Sequence, residues 1–255
     1  MNRIIKFVML DIVKNKIVLT YAILLAVLSW SVFSLEDNSA KGLLTLLNVM
    51  LLTVPLVSII FSTIYIYNSS EFIELLVSQP IKRSKIWISL FLGLCLALIT
   101  AFFVGVGIPL LIYAPLNIGL IFILTGFLIT IIFIAIAFLS AVIARDKAKG
   151  IGMAIMLWLF FTLLFDGLVL FLLFQLAEYP IEQAMVLITM LSPVDIARIL
   201  ILLQLDISAL LGYTGAIFKA FYGSENGIII TFIILLIWAA IPFWISLKKF
   251  NNKDL

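Results

Sequence analysis

Apolar residues fill this chain in six long blocks separated by short polar stretches. The blocks run Ile17 to Leu35, Leu43 to Ile66, Ile86 to Tyr113, Ile118 to Ile143, Ile151 to Leu176 and Ile228 to Leu247. A membrane-spanning helix needs about 20 apolar residues, so each block predicts one transmembrane helix. The chain reads as an all-α integral membrane protein, a single transmembrane domain over residues 1–255. Ahead of the first block, Arg3, Lys6, Lys14 and Lys16 alternate with Ile4, Ile5, Phe7, Val8, Leu10, Ile12 and Val13. That pattern predicts an interfacial amphipathic helix over residues 1–16. No small-residue cleavage pattern comes after the first block, which reads as an uncleaved span and not a signal peptide.

The polar stretches differ in character. Residues 68–85, between the second and third spans, open with Asn68 and Ser69 as candidate helix caps and with Glu71 at capping-box spacing. Phe72, Leu75, Leu76 and Gln79 keep helical spacing, Pro80 stops the element, and Lys82, Arg83 and Lys85 come next. The segment is either a loop with one frayed turn or a short docking helix. Within the second span Pro55 predicts a kink. In the third span Gly93, Ala97, Ala101 and Gly105 recur every fourth residue and predict close approach of another helix. Pro109 and Pro115 are expected to bracket a tight turn into the fourth span.

Charge adds orientation. Thirteen of the 16 Lys and Arg fall in the N-terminal segment, residues 68–85, residues 144–150 and the C-terminus. The positive-inside rule puts these on the cytoplasmic side, with both termini. Residues 177–227 then face outward, as a long extracytoplasmic segment. A seventh span over Gln183 to Leu205 is disfavoured. It would bury Asp195 and Arg198 around Pro193, at about 2.5–3.5 kcal/mol per charge at a span centre. The expectation is instead a pair of amphipathic helices lying against the outer membrane surface. Ser192 would cap the second, with Pro193 at its first position, and Asp195 would pair with Arg198 one turn on.

Composition narrows the chemistry. The 255 residues are 65% hydrophobic and 11% charged, with mean hydropathy +1.33. There is no histidine and a single cysteine, Cys95, so neither a histidine metal site nor an intrachain disulfide is available. Met153 and Met156 lie one turn apart and read as packing residues. No phosphate-binding glycine loop is present, and this chain is not expected to be an enzyme. Asp166 is the one ionisable residue deep in a span, with Thr162 one turn earlier as a candidate hydrogen-bond donor. It marks either a pathway or a packing interface.

Six spans, a basic amphipathic start and the stretch Glu-Leu-Leu-Val-Ser-Gln-Pro-Ile-Lys-Arg resemble the permease subunits of type-two ABC transporters. In that family a cytoplasmic coupling helix docks into the ATP-binding subunit. The resemblance implies that role for Glu71, Phe72, Glu74, Leu75, Leu76, Pro80 and Arg83. Residues 158–166, WLFFTLLFD, and 191–200, LSPVDIARIL, are similar to segments of the permeases that serve maturation of the copper–sulfur centre of nitrous oxide reductase. This implies a homodimer in a bacterial inner membrane, with NosF-like cytoplasmic ATPase subunits and a NosD-like periplasmic protein. ATP and magnesium would sit in the ATPase partner, with no cofactor on this chain, and Ser192, Pro193, Asp195 and Arg198 would meet the external partner. Membrane lipid, and no nucleic acid, completes the expected surroundings. Two other readings stand beside it: an ABC exporter permease for a lipid, peptide or drug, and a proton-coupled secondary transporter using Asp166.

Overall fold

The computed structural model describes residues 2–36, 39–144, 146–175, 182–205 and 225–252. The described residues are almost all helical, and six helices are long and apolar enough to cross a membrane. The chain is therefore an all-α, multi-pass membrane protein. A short helix α1 (Asn2–Val13) precedes α2 (Lys16–Leu35), the first span, and α3 (Ser39–Asn68), the second. The short α4 (Ser70–Val77) comes next. The third span is α5 (Arg83–Phe102), a π-helical turn at Phe103–Gly107 and α6 (Ile108–Tyr113). The fourth is α7 (Leu116–Ile143). The fifth is α8 (Lys147–Leu159), a second π-helical turn at Phe160–Leu164 and α9 (Phe165–Gln175). Then come α10 (Glu182–Thr189), α11 (Pro193–Gln204) and the sixth span, α12 (Glu225–Asn251).

The fourth span is the centre of the bundle. It carries no ionisable residue, and 67% of its most apolar window is buried, against 17% for the fifth span and 22% for the first and sixth. Helices α3, α11 and α12 all pack on it. Near one end an aromatic stack joins α5, α7 and α12. Trp87 lies on Phe250 at 4.2 Å and meets Phe138 edge-on at 4.8 Å, while Phe91 stacks on Phe243 at 4.0 Å. The Trp87 indole N–H donates to Ser246 Oγ at 3.1 Å, so the buried polar atom is satisfied.

The small-residue stripe of the third span brings two helices close, as its spacing predicts. A Cβ on Gly93 would lie 2.6 Å from Val8 Cγ1 of α1, and one on Gly105 would lie 2.6 Å from Leu25 Cβ of α2. Val8 and Ile12 are fully buried there. Helix α1 is thus seated on the bundle through its apolar face.

Helix α3 continues as one element through Pro55, the residue at which a kink is expected. Pro55 lacks the N–H that Leu51 would otherwise receive, and nearby the Trp158 indole of the fifth span donates to the Leu52 carbonyl at 3.3 Å. Pro109 does not bracket the turn. It sits at the start of α6, after the π-helical turn, and Ala114 and Pro115 alone separate α6 from α7. A second expectation also changes, that for α11. It does not lie on a surface, because nearly all of its residues are buried against α3, α7 and α12. It is also too short to span: 12 residues reach about 18 Å at 1.5 Å each, against a hydrocarbon core of about 30 Å.

Candidate functional site

Two groups of polar residues stand out, one at each end of the bundle. The first end is defined by contacts between segments far apart in sequence. Ser84 Oγ donates to Asn251 Oδ1 at 3.1 Å, Lys147 Nζ donates to Asn68 Oδ1 at 2.7 Å, and Tyr65 Oη donates to Asp11 at 3.2 Å. The end of α1, the α3–α4 junction and the starts of α5 and α8 therefore share one end with the last turn of α12. Lys82, Lys85, Lys147, Lys149, Lys248 and Lys249 collect there. Arg145 and Lys253 lie outside the described residues.

At this end α4 is a distinct helix, which settles the choice between loop and helix. Its start is built differently from the expected capping box. Ser69 makes no side-chain cap, and Asn68 is engaged by Lys147. The reason is that α3 runs on almost without a break: Ser69 N–H donates to the Tyr65 carbonyl and Ile73 N–H to the Ser69 carbonyl. The buried face of α4 is Ile73 and Leu76, with Phe72 half-buried against Phe7 of α1 at 5.5 Å between rings. Leu75 points the other way and is 65% exposed, near exposed Glu71 and Glu74, and Phe7, against Phe72, is 57% exposed. Pro80 is exposed in the bend after α4, and Arg83 is the first residue of α5. Of the expected docking residues, Leu76 faces inward and Phe72 is shared with α1. Glu71, Glu74 and Leu75 face out, and Phe7 joins them from α1. Phe7 was visible in sequence only as one of many apolar positions in α1. Behind α4 lies a cavity of about 160 Å³ lined by Ile66, Tyr67, Ile73, Trp87, Val142 and Phe250, among others.

At the opposite end, Asp166 is paired across 32 residues of sequence with Arg198 of α11. Arg198 Nη1 lies 2.5 Å from Asp166 Oδ2 and 3.5 Å from Asp195 Oδ1. Thr162 is not the donor to Asp166. Its hydroxyl bonds the Trp158 carbonyl at 2.7 Å, inside the π-helical turn, where Phe165 N–H reaches back five residues to Phe160. The extra residue of such a turn rotates the downstream helix by about 100° relative to an unbroken α-helix. That rotation sets the direction in which Asp166 leaves the fifth span. Ser192 Oγ accepts from Asp195 N–H at 3.3 Å and Pro193 occupies the first helical position, so α11 begins as its sequence signature requires. The Trp238 indole N–H donates to the Met190 carbonyl at 3.1 Å, fastening the turn between α10 and α11 to the sixth span.

Ser192, Pro193 and Asp195 are buried, Asp195 with only 6% of its surface exposed, and Arg198 retains partial access. The face expected to meet an external partner is therefore turned into this chain. Burial, followed by the neighbouring Asp166 carboxylate, pushes the Asp195 carboxyl up to about 8, with Arg198 and Ser192 pulling the other way. The Asp166–Arg198 pair had one sequence signal: a lone anion in one apolar stretch and a lone cation in another, each needing a counter-charge.

The described residues thus hold six helices long and apolar enough to cross a membrane, a short α1 seated on the bundle and a separate α4 with an exposed outer face. The ABC-2 family transporter protein profile matches residues 11–255. The chain belongs to the ABC-2 family. Its members are membrane permease subunits and not the catalytic subunit. A protein named probable ABC transporter permease protein NosY, from Pseudomonas aeruginosa, is 27% identical over 167 residues. That match covers 61% of this chain and 61% of the relative's length.

Proposed function

We propose that this ABC-2 permease transmits ATP-driven motion from a separate cytoplasmic ATPase to the far side of a bacterial inner membrane, both termini being cytoplasmic. The observation that carries the reading is the outward face of α4 and α1. Leu75 is exposed among Glu71 and Glu74, and Phe7 of α1, also exposed, packs on Phe72 of α4. Such a patch fits a protein partner. ATP and magnesium belong to that partner, and this chain supplies the seat.

A physical route from seat to far side supports the reading. Asn68, at the root of α4, is held by Lys147, the first residue of the fifth span. Further along, the same span carries Asp166, which holds Arg198 of α11. A tilt of α4 into the cavity behind it would thus pull one helix that is tied at two points, Lys147 and Asp166. The π-helical turns in the third and fifth spans are places where such helices change register.

Likeness to the NosY permease supports a finer reading, maturation of the copper–sulfur centre of nitrous oxide reductase. The complex would be a homodimer with two NosF-like ATPases and a NosD-like periplasmic protein. A general exporter permease for a lipid, peptide or drug is the second reading. Co-expression with an ABC ATPase of the same genome tests the first level. The chain should co-purify with that ATPase in mild detergent, and Glu71→Lys with Leu75→Asp should abolish the association. Purification of the stable chain alone would reject it. Deletion tests the finer level: nitrous oxide reductase should then lack its copper–sulfur centre. A fully loaded enzyme would reject maturation and leave the exporter reading.

A further inference from the structure

Among the described residues, the charges around α11 do not balance. Asp166 and Asp195 share one guanidinium, and its Nη1 lies close enough to both to hold their carboxylates within about 6 Å of each other. With both ionised, the three side chains sum to one negative charge. Asp195 Oδ2 is buried and has no hydrogen-bond partner among the described residues. A bare ionised oxygen in an apolar enclosure is unfavourable. A proton on that oxygen neutralises the cluster and turns Asp195 into a donor toward the neighbouring carboxylate.

Among the described residues, the surrounding elements offer no other cation for the role. Helix α7, against which α11 packs, has no ionisable residue. On α3, Lys41 makes no ion pair with the cluster among the described residues, and Asn68, Tyr65 and Tyr67 lie at the far end. On α12, Lys248 and Lys249 are in the last turn, also at the far end, and Glu225 at its start is acidic. Helix α10 carries Glu182, and α9 with its π-helical turn carries only Asp166. Two carboxylates already braced by an arginine are a poor donor set for a metal ion, and no group of three His, Cys, Asp or Glu forms among the described residues.

We propose that Asp195, Asp166 and Arg198 form a binding site for a single proton, and that its occupancy locks α11 to the fifth span. The proton comes from bulk water onto Asp195 Oδ2 and returns to water on release, and no other bond is made or broken. With the proton bound, the cluster is neutral and closed. Without it, the excess negative charge favours opening toward water, through the partly exposed Arg198. The raised carboxyl fixes the direction of the pH effect. The folded chain holds a proton that the unfolded chain has already lost in the ordinary carboxylate range. The stability from this group is therefore present at low pH and lost as pH rises through about 8. This site needs no ATPase, so its test is separate from that of the docking face.

The test uses the full chain in lipid nanodiscs and infrared difference spectroscopy across pH 8, with amide hydrogen exchange over Ile196 to Leu203. A protonated-carboxyl band should vanish as pH rises, and exchange in α11 should quicken about tenfold or more over the same interval. Asp195→Asn, which mimics the protonated side chain and should fold, should remove both the band and the pH dependence while keeping α11 protected. Asp166→Asn should move the transition to lower pH, because the like charge is gone. A wild-type chain with no titrating carboxyl band, or a band that survives in Asp195→Asn, would overturn the proposal. So would α11 protection that is indifferent to pH.

Discussion

The two ends of this bundle handle polar groups in opposite ways. At the α4 end, charged side chains are outside and an apolar one, Leu75, is outside with them. At the α11 end, charges are inside and answered by one another. The first arrangement leaves surface to be covered by another molecule, and the second closes the chain on itself. The difference separates a seat for a partner from an internal tie, and the fifth span, held by Asn68 at its start and by Arg198 at Asp166, joins them.

Removing the tie should have the largest effect on stability. Arg198→Leu leaves two neighbouring carboxylates without their cation and should cost about 3 kcal/mol, the lower part of the range for breaking buried pairs, since both partners keep some access to water. Thermal unfolding in detergent measures this, and adding Asp166→Asn should recover part of the loss. A neutral Arg198→Leu would remove the distinction between the two ends. Gly93→Val should come next, at about 1–3 kcal/mol, because the new side chain meets Val8 and must push α1 from the bundle. Protease cleavage near the N-terminus should rise with it. The smallest change in stability belongs to the seat. Glu71→Lys with Glu74→Lys should shift stability by less than about 0.5 kcal/mol, as exposed substitutions do, yet abolish stimulation of the ATPase. Unchanged stimulation would show that the charged rim of α4 is not part of the contact.

Much of this fold is legible in the sequence, because bilayer thickness imposes a length on apolar blocks and charges or prolines end them. The spans come from that alone, whereas the pattern of residues 68–85 left a frayed loop and a short helix both open until the structure showed α4. The spacing of Gly93, Ala97, Ala101 and Gly105 also foretold close packing, although not that α1 and α2 would be the neighbours. The hidden features depended on three-dimensional context. Neither π-helical turn has a sequence signature, so the direction of Asp166 was not readable. Asn68 has the chemistry of a cap, but continuation of the α3 hydrogen-bond ladder left it free to bind Lys147. Helix α11 carries charges that argue for a surface when counted one by one. Paired with Asp166, Arg198 makes an interior position tolerable, and that pairing spans elements whose order in the chain gives no hint of it.

The central claim, that the exposed face of α4 seats an ATPase, is tested most directly by a photo-crosslinking residue placed at position 75 in membranes from cells expressing both proteins. A second label at position 187, an exposed leucine of α10, serves as the contrast. The expected result is an adduct between position 75 and the ATPase, identified by mass spectrometry, that is absent at position 187. Adducts from position 75 to lipid alone, or equal ATPase adducts from both positions, would contradict the claim.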